Sequence, residues 1–256
     1  MKKIAKNFNK IFLIILCFIS LVLHTACDVK FFSDDAEVIN GLSEKGVITA
    51  CVEVVTNISE DSYSQGSGAI FYKKTNYLIN DVVKDYTYYA ITNNHVIYGG
   101  YHFNPYKVYD CYGEVYNANL TSFDATYDLA VVTFNSKKEY NVLAFATADA
   151  LVSDKVIAMG NPLGVRNSAT LGEVLDFSTV DVENASVDEC NVEFLVIKHS
   201  APINTGSSGG VILNYNYQIC GVNFACVLGE DKKFTSAYAI PLSKVKEFLT
   251  NSGFVL

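Results

Sequence analysis

Residues 203–210 read INTGSSGG, and the reading of this octapeptide decides the reading of the rest. Ser208 is followed by Gly209 and Gly210 and preceded, two positions back, by Gly206. Glycines on both sides of a hydroxyl let the backbone take positive φ and approach another molecule closely. In such a turn main-chain N–H groups can converge on one point. That suits an acyl-transfer nucleophile with an oxyanion hole beside it. A plain Gly/Ser turn has the same composition. The choice rests on whether a base and an orienting acid stand elsewhere in a workable order.

Chain order narrows the chemistry. Residues 206–210 also fit G-x-S-x-G, the nucleophile elbow of hydrolases whose triad runs Ser, acid, His. No histidine follows Ser208, so that mechanism is excluded, and the order His, Asp, Ser stays open. Of the four histidines, His24 lies in a leader, His102 in the loop GGYHFNPY and His199 in the run before the serine. His95, in AITNNHVI, stands just past a strand end, where an imidazole can point into a cleft. Asp128, in DATYDLAVV, directly precedes the apolar run 129–132, and Asp124 lies further into the loop. Singly, these read as a surface histidine and a turn aspartate. Together, His95, Asp128 and Ser208 make one of the orders known for the triad.

Around these positions the pattern is β. Strands are predicted at 47–55, 66–73, 88–93 and 129–134, with a hairpin over 107–120 turning near Gly113. A second series follows at 155–160, 168–177, 193–201, 209–214, 217–226 and 234–241. Seventeen Tyr, sixteen Phe and only four Pro favour strands. Short strands at this spacing suggest paired barrels or a sandwich. Residues 242–251 put Leu242, Val245, Phe248 and Leu249 on one helical face, with Gly253 beyond as a stop.

TNNHVI, YDLAVV, AMGNPLG and INTGSSGG, in that order, resemble the trypsin-fold serine proteases of the HtrA (Deg) type. GSGAIF and SAYAIP also look like strands of that family, and the resemblance runs from about Val47 to Phe248. It implies an all-β fold of two six-stranded antiparallel β-barrels with a C-terminal α-helix. The barrels would span about 46–140 and 141–241, and the helix 242–251. Ser208 would be the nucleophile, His95 the base and Asp128 the group that orients the imidazole. The N–H groups of Gly206 and Ser208, helped by Ser207, would form the oxyanion hole. Ile203 and the stretch Asn223, Phe224, Ala225 and Cys226 would bind substrate. Pro202, six residues before Ser208, is uncharged, as are Ala201 and Ile203 beside it. An apolar pocket follows, suited to a small or aliphatic side chain before the cleaved bond. The strand Asn223–Ala225 would pair with an extended peptide. Two positions depart from the family: Ser200 stands in place of Asp, and Thr205 in place of Pro. The PDZ domain common in the family is not expected. Assembly as a homotrimer through Phe31 and Phe32 is an expectation of the resemblance.

The first ten residues carry four lysines and no acid, and 11–23 form an unbroken apolar run. This is the layout of a secretory signal, too short for a membrane-spanning helix. Ala26-Cys27 resembles a bacterial lipoprotein junction, with Cys27 as the lipid-bearing residue, although His24 occupies the usual Leu position. Residues 1–27 are thus expected to be a signal, with simple cleavage or an uncleaved anchor as the other outcomes. Residues 28–45 read as an arm or tether, or a short helix near SDDAEVINGL. Every version places the chain outside the cytoplasm.

Net charge is −8, and without the leader 15 basic residues face 27 acidic ones, so a nucleic-acid partner is not expected. Five cysteines remain after Cys27, at 51, 111, 190, 220 and 226, without metal-binding spacing. No metal or cofactor is expected. The reading is an exported serine endopeptidase acting on extended or unfolded protein segments. A catalytically silent or latent binding protein on the same fold is the alternative.

Overall fold

The computed structural model describes residues 35–78, 81–100, 106–180, 192–231 and 233–255. The signal with Cys27, the Phe31-Phe32 pair, His102 and Cys190 lie outside the described residues. Val38–Leu256 forms one compact unit.

Helix α1 (Asp35–Glu44) stands where a tether is one reading of the sequence. Val38, Gly41 and Leu42 are buried along one face. Three inward positions at helical spacing hold it, too few to register as an apolar run. Val47–Ala50 is a 3₁₀ turn, not the start of a strand. Gly46 enters it at φ +65°, and Val47 and Ala50 are buried three residues apart.

Twelve strands follow among the described residues. β1 (Cys51–Asn57), β2 (Tyr63–Tyr77), β3 (Val83–Thr92), β4 (Tyr106–Tyr109), β5 (Val115–Asp124) and β6 (Leu129–Ser136) close a barrel in the order β1-β2-β3-β6-β5-β4. β7 (Lys155–Gly160), β8 (Ser168–Ser178), β9 (Val196–His199), β10 (Val211–Leu213), β11 (Ile219–Leu228) and β12 (Phe234–Pro241) close a second, β10-β11-β12-β9-β8-β7. All ladders between these strands are antiparallel, so the expected pair of six-stranded barrels is what forms.

Alternation fills each barrel from within. Val54, Ile70, Ala90 and Val132 are buried in the first; Val156, Ala158, Ile197 and Ile212 in the second. Closure leaves no long open sheet edge. The terminal helix α3 (Leu242–Asn251) buries Leu242, Val245, Phe248 and Leu249, as its spacing predicts. Each such side chain stabilises the fold by about 1.5–3 kcal/mol. The helix ends where Gly253 turns to φ +87° and the Phe254 N–H closes on the Leu249 carbonyl.

Candidate active site

The first barrel brings His95 and Asp128 together by register. Thr92, at the end of β3, is paired with Ala130, near the start of β6. Three residues past Thr92 and two before Ala130, the chain therefore returns to the same point. A short helix α2 (Asn94–Ile97) carries His95 and is fixed by the buried side chains of Val96 and Ile97. Asp128 adopts φ +50°, a conformation that aspartate tolerates better than most residues. Its carboxylate is wholly buried. Oδ2 lies 2.8 Å from His95 Nδ1, and Oδ1 accepts the main-chain N–H of His95 at 2.9 Å. The side-chain amide of Asn93 donates to the Asp128 carbonyl at 2.8 Å and holds the turn. An imidazole bound in this way keeps its Nδ1–H toward the acid and presents Nε2 outward.

Ser208 belongs to the second barrel, on the loop between β9 and β10. The Gly209 N–H donates to the Asn223 carbonyl at 2.9 Å, and the Asn223 N–H donates to the Gly210 carbonyl at 2.8 Å. These bonds extend the β10–β11 ladder up to the serine. From the first barrel, the Ser67 N–H donates to the Ser208 carbonyl at 2.7 Å. The serine loop is thus anchored from both sides. The Ser208 hydroxyl donates to the Phe224 carbonyl at 3.3 Å. That carbonyl is free for it because the β11–β12 register shifts between Asn223 and Ala225, leaving Phe224 as a bulge.

Among the described residues, nothing accepts from the N–H groups of Gly206 and Ser208. The N–H of Ser207 is different: it donates to the Asn204 carbonyl at 2.9 Å. Ser207 therefore closes the loop and is not available as the third oxyanion donor that the resemblance suggests.

The substrate-wall residues divide. Ile203 is half-buried. Phe224 is wholly buried and stacks on Tyr238, so its main chain alone reaches Ser208. Asn223 is buried too, with Oδ1 3.0 Å from His199 Nε2. Ala225 is buried and Cys226 half-buried on the same strand. β10 pairs with β11 only as far as Val222, so Phe224 and Ala225 run beyond that ladder.

The His199–Asn223 pair lies outside the sequence reading, since both residues sit in apolar strands. Burial lowers the His199 pKa to about 4, partly offset by the contact with Asn223. A free imidazole titrates near about 6.5. Below that pH the unfolded chain takes up a proton that the native state refuses until about 4. Stability is complete above pH ~6.5 and falls as pH drops toward ~4, by about 3 kcal/mol from this residue. Urea unfolding at pH 7.5 and 4.5 is expected to show this loss, and His199→Gln to reduce it. An equal loss in both proteins would show that other groups cause it.

Three more residues escaped the sequence reading. Ser67, in GSGAIF, and Asn161, in AMGNPLG, lie in motifs quoted for the resemblance, yet Ser67 bonds the serine loop directly and Asn161 bonds Ser67. Asn93 is the third. A serine between two glycines and a lone Asn before Pro were the available signals. Among the described residues there is no cluster of His, Cys, Asp or Glu able to hold a metal.

The two closed barrels are the architecture of the trypsin-like peptidases. Residues 66–222 match the trypsin-like peptidase domain, more than half of the chain, and the chain belongs to that family. Several curated relatives of the chain are named as HtrA- or DegP-type serine proteases. The chain is 35% identical over 162 residues to the Do-like serine protease HtrB of Bacillus subtilis, covering 62% of this chain and 34% of that protein. It is 31% identical over 161 residues to the periplasmic serine endoprotease DegP of Escherichia coli, covering 62% and 32%. The chain thus spans about a third of the length of these relatives. Among solved structures, a serine endoprotease from Yersinia pestis superposes with a TM-score of 0.62 at 23% identity, over 84% of this chain and 66% of that one. The active form of the Rv3671c protease of Mycobacterium tuberculosis gives 0.65 at 21%, over 87% and 88%. At these identities the superpositions speak to fold.

Proposed function

We propose that this chain is an exported serine endopeptidase that hydrolyses peptide bonds in extended or unfolded protein segments. The observation that carries the reading is the buried Asp128 carboxylate set on His95 by two hydrogen bonds, of 2.8 and 2.9 Å. Ser208 Oγ attacks the peptide carbonyl carbon while His95 Nε2 takes its proton and passes it to the leaving amine. Water then cleaves the acyl-enzyme by the reverse use of the same base. To be deprotonated, the Ser208 hydroxyl gives up its 3.3 Å bond to the Phe224 carbonyl. The oxyanion is received by the N–H groups of Gly206 and Ser208. Phe224 and Ala225, beyond the β10 ladder, offer main chain to an extended substrate. Ile203 and Ala225 favour a small or aliphatic side chain before the cleaved bond. Export is supported by the leader and by relatives named as periplasmic endoproteases. A lipid on Cys27 would tether the domain to a membrane surface.

A fluorophosphonate, which reacts with activated serines, tests the reading. One adduct is expected by intact mass, on the peptide containing Ser208, together with digestion of unfolded casein. Attachment at another residue sinks the nucleophile assignment. Failure of both labelling and digestion favours the silent binding protein. The same spectrum of protein purified from membranes reads the N-terminus. A chain beginning at Cys27 with acyl mass is expected, and a chain without acyl mass rejects the lipid.

A further inference from the structure

We propose that Ser67 is a positioning residue for the oxyanion hole, acting on the Gly206 peptides through its buried hydroxyl. This rests on the nucleophile reading of Ser208 and extends it.

Four hydrogen bonds converge on Ser67, which is wholly buried. Its Oγ donates to the Gly206 carbonyl at 2.6 Å and accepts the Asn161 N–H at 2.8 Å. Its N–H donates to the Ser208 carbonyl at 2.7 Å, and its carbonyl accepts the Thr92 hydroxyl at 2.7 Å. Thr92 ends the strand that leads to His95. One residue of the first barrel is therefore bonded on both sides of the proposed nucleophile and to the strand leading to the proposed base.

The hydroxyl has a geometric task. A trans peptide points its N–H opposite to its carbonyl. The Thr205 carbonyl accepts the Leu163 N–H at 2.7 Å, which turns the Gly206 N–H away from the 161–164 turn. The next carbonyl, that of Gly206, is held by Ser67. With both carbonyls tied, the Gly206 N–H cannot swing about the chain without breaking a bond. Asn161 links the two ties. Its N–H fixes Ser67 Oγ, its Nδ2 donates to the Val52 carbonyl at 2.8 Å, and its Oδ1 accepts the Asn167 N–H at 3.0 Å. Space is closed as well: a Cβ on Gly206 would lie 2.8 Å from the Asn161 carbonyl, and one on Gly160 2.9 Å from Ser67 Oγ. Removing the hydroxyl leaves the Gly206 carbonyl and the Asn161 N–H buried without a partner. The Gly206–Ser207 peptide is then free to rotate, and the Gly206 N–H on its N-terminal side is displaced as the loop relaxes.

Such a role separates reaction from binding. Loss of one oxyanion donor costs about 10²–10³ in rate. Because Ser67 acts through another group, Ser67→Ala is expected to lower the maximal fluorophosphonate inactivation rate by about 10–10²-fold. The half-saturating concentration should stay within about threefold, since binding does not use the hole. Ser67→Cys keeps a weak donor in nearly the same place and is expected to recover part of the rate. Thermal melting of both variants accompanies the kinetics, and if Ser67→Ala does not fold, Ser67→Cys against wild type gives the same comparison. A Ser67→Ala rate within twofold of wild type overturns the proposal. So does a fall carried by weaker binding, or a Ser67→Cys rate equal to wild type in the absence of a folded alanine variant. A wild-type protein that takes no label at Ser208 removes the nucleophile reading itself, and the positioning role with it.

Discussion

Ser208→Ala is expected to lower kcat for cleavage of unfolded casein by about 10⁶-fold, and Asp128→Asn alone by about 10⁴-fold. The two losses should not add. Once the nucleophile is gone, the imidazole has no proton to take and its orientation ceases to matter. The double variant should therefore be no slower than Ser208→Ala. The effect of Asp128→Asn follows from the distances. The carboxylate accepts both the ring N–H and the main-chain N–H of His95, at 2.8 and 2.9 Å. An amide can accept with its oxygen only, so its NH₂ group must face one of the two donors. The ring then turns, or takes the tautomer with Nδ1 bare and Nε2 protonated, and the base is lost. Substrate affinity should change little, because Asp128 is buried beneath the imidazole. Additive losses, or an Asp128→Asn variant within tenfold of wild type, would separate these residues from one another and remove the triad reading.

How much was legible beforehand divides by the range of the interaction. Strands such as 129–134 and 155–160 announce themselves because burial on both faces writes an unbroken apolar run. The terminal helix does so because its inward positions recur at helical spacing. Two closed six-stranded barrels were expected from the order of four motifs, and two such barrels form. One error and one open choice lie where a few residues decide. The turn at Val47–Ala50 has the composition of a strand, and Gly46 at φ +65° starts it as a helix. α1 is held by three inward positions in an otherwise polar segment. At the site, the meeting of His95 with Asp128 was expected and forms, while the bonds around the serine loop were not foreseen. Nothing local says that the Ser207 N–H is used by Asn204, or that Ser67 reaches across 139 positions to Gly206. Nor does an apolar strand announce that His199 and Asn223 meet inside it. The Ser67 contact depends on how the barrels are joined, and the His199 contact on how the second barrel closes, which no window of sequence contains.

The second large effect is expected at Gly209, where an added methyl group has nowhere to go. Gly209 has φ +83°, which any other residue adopts with strain. A Cβ there would lie 2.1 Å from the Ser67 carbonyl, 2.3 Å from the Thr92 hydroxyl and 3.1 Å from the Asn93 N–H. Two of these are backbone atoms in segments that hold Ser208 and lead to His95, so neither can yield without moving the site. Gly253 supplies the comparison. It has φ +87° but nothing within 4 Å of the added carbon. Gly253→Ala is therefore expected to cost about 1 kcal/mol, the conformational strain alone. Gly209→Ala adds the collision and is expected to cost more than about 4 kcal/mol, or to unfold the domain. Any folded fraction must push Ser67 and Ser208 apart, so its reaction with a fluorophosphonate should fall below detection. Thermal melting of the two variants side by side, with labelling of each, checks both parts. Equal melting temperatures for the two would mean that the serine loop sits further from β2 than the 2.7 Å bond between Ser67 and Ser208 requires.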